Sequence, residues 1–403
     1  MNTSIPVILA GGKGVRFAPF VTDKLLWPFA GKSLLTRVLE SVLAAELTSV
    51  IVVANEHNRE AISAIRIPGL EIQIATQTSA GGMAGALRSV KGIIGTRSIL
   101  VLNGDDLIET TLIKAMSNYV TEHAPDVLLA GYESKNLLPV GYLKLESDKV
   151  ISIVEKPSIE HKPSNFVKLV ADYFKNPSVL FDALDAGDTN DSNDSQYEDA
   201  LNLILSTKPA NFIPYSGTWH KLKHPHFVLD LMRSVLKNQE SFIHESATVS
   251  PHAHVEAGVY VDAHAHIEAG AHIKGPSYIG PHVHIGNGAL VRQSMVESHA
   301  TVGFGSEVAR SYVGPDSQIH HAFVGDSVLE GSVNMSWGSV TANLRLDNRP
   351  IRLKLTDGTM VETDREKLGA MIARGAFLGV NTSTMPGVCI ESDAKIQPGS
   401  ILR

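Results

Sequence analysis

Hydrophobic and polar positions follow two different rhythms along the chain, and the change comes near residue 240. Up to about Asn238, short runs rich in Val, Ile and Leu alternate with longer segments whose apolar residues recur at helical spacing. The runs at residues 7–9, 50–53, 72–75, 99–102, 127–130 and 150–155 predict strands, and 34–47 and 107–123 predict helices between them. Such alternation implies an α/β domain. Residues 182–198, crowded with Asp, Asn and Ser, predict a polar loop, and residues 227–239 a linking helix.

Beyond that helix the period becomes six. Ile243, Val249, Val255, Val261, Ile267, Ile273, Ile279, Ile285 and Val291 stand on one six-residue grid, with Ala, Gly, Pro and Asn between them. Neither a helix nor an ordinary strand keeps that register. Six-residue repeats predict a left-handed parallel β-helix, in which three hexapeptides close a triangular coil and each aliphatic points into the prism. The grid slips by a residue near Val313 and again past Phe323, and resumes at Val388 and Ile396. Its interruption at 346–364 contains "LKLTDGTMVET", which predicts a projecting hairpin. The expected division is an α/β domain over 1–240 and a β-helix over 241–403.

Composition narrows the function classes. The chain has 403 residues, enough for two or three domains that each bury a core, and a formal net charge of −7. This balance gives no sign of a nucleic-acid-binding surface or a polybasic membrane segment. Cys389 is the only cysteine, which excludes an internal disulfide framework and fits a reducing cytoplasm. The start, MNTSIPVILAGGKG, has no long apolar region, and no stretch reaches bilayer length. Most of the 17 histidines fall in the repeat. Residues 18 apart stack on successive coils, so His254 and His272, His266 and His284, and His264 and His282 are expected to be neighbours about 4.8 Å apart. Such pairs can share a metal or form solvated ladders, and the spacing alone leaves both open.

The first apolar run leads into a loop, "VILAGGKGVRFAPF" at residues 7–20. Neither the G-x-G-x-x-G nor the G-x-x-x-x-G-K-[ST] spacing is present. Glycines still allow close backbone approach to a ligand, and Lys13 and Arg16 add positive charge, a combination suited to phosphate. A tight strand-to-helix turn with solvated cations is the other reading.

Six stretches in order carry a resemblance: "LAGGKGVRF" at 9–17, "DKLLWPFAGKSLL" at 23–35, "QTSAGGMAGAL" at 77–87, "LVLNGDDLI" at 100–108, "VEKP" at 154–157 and "SVTANLRLD" at 339–347. Followed by hexapeptide repeats, they resemble the bifunctional sugar-1-phosphate nucleotidylyltransferase/acetyltransferases, over nearly the whole chain. The resemblance implies a Rossmann-like α/β nucleotidyltransferase domain followed by a left-handed β-helix. It implies that Gly11, Gly12 and Gly14 shape a nucleoside triphosphate loop and that Arg16 holds the triphosphate. Lys24 is then placed to neutralise charge as a sugar 1-phosphate attacks the α-phosphorus. Gln77 and Gly82 face the base, Asp105 holds Mg²⁺, and Glu155 and Lys156 reach the sugar and its phosphate. In the β-helix, His320 stands at the position of the acetyltransferase general base, with acetyl-CoA as co-substrate. Asn334 and Asn343 match polar positions, and Arg349 and Arg352 stand where relatives use Lys for the sugar phosphate. Acetyl-CoA lies between neighbouring β-helices in this family, which implies a homotrimer.

The chain departs from the pattern in several places. Val15 replaces a Thr, Met83 a Thr or Leu, and Phe323 a Tyr. "LVADY" at 169–173 stands where relatives carry Asn-x-Gly. In "WHKLKHP" at 219–225 the second metal-ligand Asp is Lys221, and an ammonium cannot coordinate a cation. Three readings therefore stand: both activities with UTP or dTTP as nucleotide donor, one activity only, or a silent nucleotide-sugar-binding regulatory subunit.

Overall fold

The computed structural model describes residues 4–78, 81–187, 195–355 and 357–403. The chain divides into two compact units, the first comprising Met1–Lys13 with Leu34–Trp219, the second Gly14–Ser33 with His220–Arg403.

In the first unit a nine-stranded sheet is built from Ile5–Ala10, Ser49–Ala54, Glu71–Thr76, Ile99–Asn103, Val127–Glu133, Gly141–Glu146, Lys149–Glu155, Phe166–Phe174 and Ala210–Tyr215. Counted in chain order, these strands lie side by side as 3-2-1-4-8-5-9-7-6. The first four are mutually parallel. Their apolar runs are continuous rather than alternating because both faces are covered, and Val7, Val53, Ile99 and Val101 are fully buried. All six strands expected from the sequence are present, as are the two helices, at Leu34–Ala44 and Thr110–His123. The polar loop expected over 182–198 needs correction. Ser178–Ala186 and Gln196–Thr207 are helices, with Leu184, Tyr197 and Leu201 buried in the core; residues 188–194 lie outside the described residues. The Asp- and Ser-rich composition hid a helix face in which the apolar residues keep helical spacing.

The second unit carries three eight-stranded parallel sheets of two- and three-residue strands, the left-handed β-helix. Successive strands pair 18 residues apart at first, as in His254↔His272 and Ile267↔Ile285. The grid aliphatics from Val261 to Val291 are buried in the prism, whereas Ile243 on the open first coil is half exposed. The register shortens to 17 already at Tyr278↔Met295, one coil before the slip expected near Val313. A buried serine ladder accommodates the missing residue. The Ser294 N–H donates to Ser277 Oγ (3.2 Å), Ser311 to Ser294 (3.0 Å), Ser327 to Ser311 (3.0 Å) and Ala370 to Ser327 (3.0 Å). Each hydroxyl thus satisfies an amide that the shortened coil leaves without a carbonyl partner. The hairpin is Ile351–Lys354 against Met360–Arg365, inside the interruption where it was expected. Among the described residues no helix is long and apolar enough to cross a membrane.

Candidate functional site

In the α/β unit, Gly11, Gln77 and Gly82 gather where the parallel strands end, the edge at which open α/β sheets bind ligands. Strand Ile5–Ala10 runs into Gly11, and the turn is tied down by side-chain amides: Asn58 Nδ2 donates to Ala10 O (2.9 Å) and Asn55 Nδ2 to Gly11 O (3.3 Å). The Gln77 N–H donates to Ala54 O (2.7 Å), and its Nε2 lies 3.4 Å from Gly82 O. A Cβ on Gly11 would lie 2.0 Å from Gln77 Oε1, so the glycine is what lets the glutamine amide cross the turn. Gly12 is exposed, with open space beside it. Asp105 follows Gly104, whose N–H donates to Leu9 O (3.0 Å), and Asp105 and Asp106 are 6% and 4% exposed. Two carboxyl groups are thus almost entirely out of water where the strand Ile99–Asn103 ends.

Glu155 and Lys156 end strand Lys149–Glu155 and are both exposed. Gly141 pairs with Glu155, and a Cβ there would come within 2.5 Å of the Glu155 carboxylate. Beside them lies a cluster that sequence reasoning missed. In the stretch that departs from Asn-x-Gly, buried Lys168 pairs with Asp172 (2.7 Å), which is fully buried and also accepts from the Tyr197 hydroxyl (2.6 Å). Burial pushes the Asp172 carboxyl up, with Lys168 opposing. Burial also lifts Glu198 to about 7, Lys168 again opposing while Glu155 and Asp172 add to the rise. The available signal was two opposite charges four apart in an otherwise apolar strand, "FVKLVADYF".

Gly14, Arg16 and Lys24 belong to the β-helix unit. Gly14 has a positive φ of 64° and opens the short turn Val15–Phe17, with Arg16 exposed on it; Asp23 caps the turn Lys24–Leu26 by accepting from Leu25 N (2.9 Å). The prism grips this segment through two buried carboxylates. Glu330 accepts from the N–H groups of Val21 (3.0 Å), Thr22 (2.6 Å) and Arg374 (2.9 Å), and Glu297 from Ala30 (2.8 Å) and Gly31 (3.1 Å). The Tyr312 hydroxyl donates to Pro28 O (3.0 Å), and Trp27 packs at 5.4 Å from the Tyr312 ring. The sequence showed Glu297 and Glu330 as two more acids in the repeat, because their partners lie about 300 residues away.

Further along the prism, His320 is exposed at a coil corner, just past strand Gln318–Ile319. Its N–H donates to Met335 O (2.9 Å), so the backbone is fixed whatever the side chain does. Asn334 is half-buried on the next coil, paired with Gln318. Phe323 opens the strand that follows the corner. Asn343 Nδ2 donates to Asp326 Oδ2 (2.6 Å), a buried carboxylate that Arg310 also clasps at 2.7 and 2.6 Å. Arg349 is exposed, and Arg352, on the hairpin, pairs with Glu362 at 2.8 Å. His320 and Asn334 are therefore brought to neighbouring coils, while Arg352 belongs to a separate element and is partly neutralised. His220 and His224, in "WHKLKHP", and His226 just after it are held below their ordinary values by burial, His226 to about 3.

Residues 5–222 match the nucleotidyl transferase family model. Over 397 residues the chain is 32% identical to the bifunctional protein GlmU of Methanococcus vannielii, covering 97% of this chain and 92% of that one. The chain belongs to the bifunctional sugar-1-phosphate nucleotidylyltransferase/acetyltransferase family. A family member described by that activity, from Sulfurisphaera tokodaii, is 28% identical and covers 98% and 96% of the two chains. Among solved structures, a putative glucose-1-phosphate thymidylyltransferase from Bacillus anthracis superposes with a TM-score of 0.52 at 18% identity, over 59% of this chain and 97% of that one. This last likeness concerns the fold of the transferase domain.

The clamp on residues 14–33 gives a stability prediction for this transferase. Glu330→Ala strips acceptors from three backbone amides, each costing about 1–3 kcal/mol when buried and unsatisfied. The expected result is a loss of about 2–4 kcal/mol in urea unfolding, against almost none for exposed Glu240→Ala. An unchanged unfolding midpoint for Glu330→Ala contradicts the clamp.

Proposed function

We propose that the chain performs both steps of nucleotide-sugar synthesis: acetyl transfer from acetyl-CoA to a hexosamine 1-phosphate, then nucleotidyl transfer from UTP or dTTP. The observation that carries this reading is the near-complete coverage of two-activity relatives, with His320 retained at an exposed corner of the prism. In the first step the sugar nitrogen attacks the thioester carbon, the C–S bond breaks, coenzyme A leaves as thiolate and His320 takes the nitrogen's proton. Asn334, Asn343, Arg349 and Arg352 are the proposed sugar-phosphate contacts.

In the second step the sugar phosphate oxygen attacks the α-phosphorus and pyrophosphate leaves. Gly11, Gly12 and Gly14 present backbone to the triphosphate, Arg16 and Lys24 offset its charge, Gln77 and Gly82 face the base, and Glu155 and Lys156 hold the sugar end. The carboxylate at Asp105 suits a hard cation. Mg²⁺ commonly takes one or two carboxylates and completes its shell with water and substrate phosphates, so one ligand from this chain is enough to hold it. There the ion would polarise the phosphoryl oxygens.

Lys221 favours a second reading, in which nucleotidyl transfer is weak or absent and the first unit only binds. Purified protein assayed with a panel of hexosamine 1-phosphates, UTP, dTTP and Mg²⁺, with and without acetyl-CoA, separates the two. Product in both half-reactions supports the proposal, and acetyl transfer alone supports the second reading.

We also propose a homotrimer through the β-helix, since flat prism faces pack around a closed three-fold axis. Light scattering is expected to give three times the chain mass of 43.3 kDa at micromolar concentration. A monomer mass overturns it.

A further inference from the structure

Apart from His320, the histidines of the repeat have no part in either proposed transfer, and the structure groups several of them across successive coils. His266 and Glu268 flank inward-pointing Ile267, so both face outward from one coil, and His284 stands over His266 on the next. Glu268 Oε1 lies 3.1 Å from His266 Nε2 and 3.4 Å from His284 Nε2, and the three donor atoms all fall within 4.8 Å of one another. The same constellation recurs twelve residues earlier as His254, Glu256 and His272, with Glu256 Oε1 2.9 Å from His272 Nε2. Both come from one hexapeptide, "AHVEAG" at 253–258 and "AHIEAG" at 265–270, each topped by a histidine from the coil above.

We infer that His266, Glu268 and His284 form a zinc site, and that His254, Glu256 and His272 form a weaker copy of it. Zinc bonds of about 2.0–2.2 Å in a tetrahedron space the ligands roughly 3.4 Å apart, close to both carboxylate–imidazole distances found here. Two imidazoles and a carboxylate are a borderline donor set that suits zinc among divalent ions. The ligands stand on parallel strands of a rigid prism, so little rearrangement is needed on binding. All three side chains remain a third to a half exposed, which leaves the fourth position to water. The two sets differ in what stands over the glutamate. Gly286 follows Ile285 on the coil above Glu268, whereas Lys274 follows Ile273 above Glu256, and a cationic residue at that position disfavours a bound dication.

Such an ion bonds one coil to the next near the first coil of the prism. There the aliphatics are poorly covered: Phe242 and Ile243 are 43% and 49% exposed. Terminal repeats of a solenoid need a device against fraying, and a cross-coil staple serves as one. Zinc binding to the folded form raises its stability by mass action.

Chelator-stripped full-length protein titrated with zinc chloride in a calorimeter tests the site. The expected isotherm has a tight phase of one equivalent per chain, lost in His266→Ala/His284→Ala and kept in His264→Ala/His282→Ala. The latter pair removes two stacked corner histidines 4.9 Å apart that form no three-ligand cluster with a carboxylate among the described residues. Zinc is likewise expected to raise the melting temperature of the parent and of the corner variant, but not of His266→Ala/His284→Ala. A parent without the tight phase, a His266→Ala/His284→Ala variant that retains it, or a corner variant that loses it equally overturns the site.

Discussion

Replacing His320 by alanine is expected to lower acetyl transfer about 10²–10⁴-fold while leaving nucleotide binding unchanged, the usual consequence of removing a general base. The amine of a hexosamine 1-phosphate is protonated near neutral pH and must lose a proton before its lone pair can attack the thioester. Imidazole is the side chain whose charge changes in that range. His320 is exposed at a corner with Asn334 on the adjacent coil, and its main-chain N–H donates to Met335 O. Truncation therefore removes chemistry with little effect on the prism, whose interior is filled by Ile319 and Val324 on either side of that corner. The loss is expected in kcat with little change in KM for acetyl-CoA, because a base acts on the transition state. An acetylation rate equal to the parent's places the base elsewhere.

How far the sequence could be read depended on whether a residue's role is set by near or distant neighbours. The prism was legible because each aliphatic from Val261 to Val291 is placed by the six-residue period alone, and the histidine pairs follow from the same count. The first slip at Met295 was not, because a shortened coil keeps its aliphatics and betrays itself only in Ser277, Ser294, Ser311 and Ser327, which look like any polar residues. Likewise Gly11 and Gly14 were visible as members of one glycine-rich loop after the first strand. That Gly14, Arg16 and Lys24 join the compact unit of the β-helix was not, since it rests on Glu297 and Glu330 reaching back across most of the chain. Lys168, Asp172 and Glu198 were missed for a related reason. A buried ion pair is costly unless geometry and extra hydrogen bonds compensate, and only the fold supplies the Tyr197 hydroxyl that does so.

The second large effect concerns the metal-binding half of the proposal. Asp105→Asn keeps the shape of the side chain and one carbonyl oxygen but removes the charge that a hard cation needs. Several kcal/mol of charge stabilisation are at stake when a catalytic Mg²⁺ is lost, so nucleotidyl transfer is expected to fall about 10²–10³-fold at fixed Mg²⁺ where the ion carries the reaction, as in a Lys221→Asp background, and by less in the parent, with acetyl transfer unchanged. Lys221 makes the converse experiment informative. The family pattern assigns its position to a second carboxylate on the same ion, and an ammonium offers charge there without coordination. A point charge can offset an anionic transition state, but it cannot hold the reacting oxygens in the fixed geometry of a multi-ligand cation, so the parent is expected to turn over slowly with weak dependence on Mg²⁺. Lys221→Asp is then expected to increase both the rate and its Mg²⁺ dependence, and Asp105→Asn in that background to abolish the gain. A parent with no nucleotidyl transfer that acquires it with Lys221→Asp identifies a binding unit whose chemistry was lost through this one residue. A fast parent that is slowed by Lys221→Asp contradicts both readings, and shows that the lysine belongs to a differently built metal site.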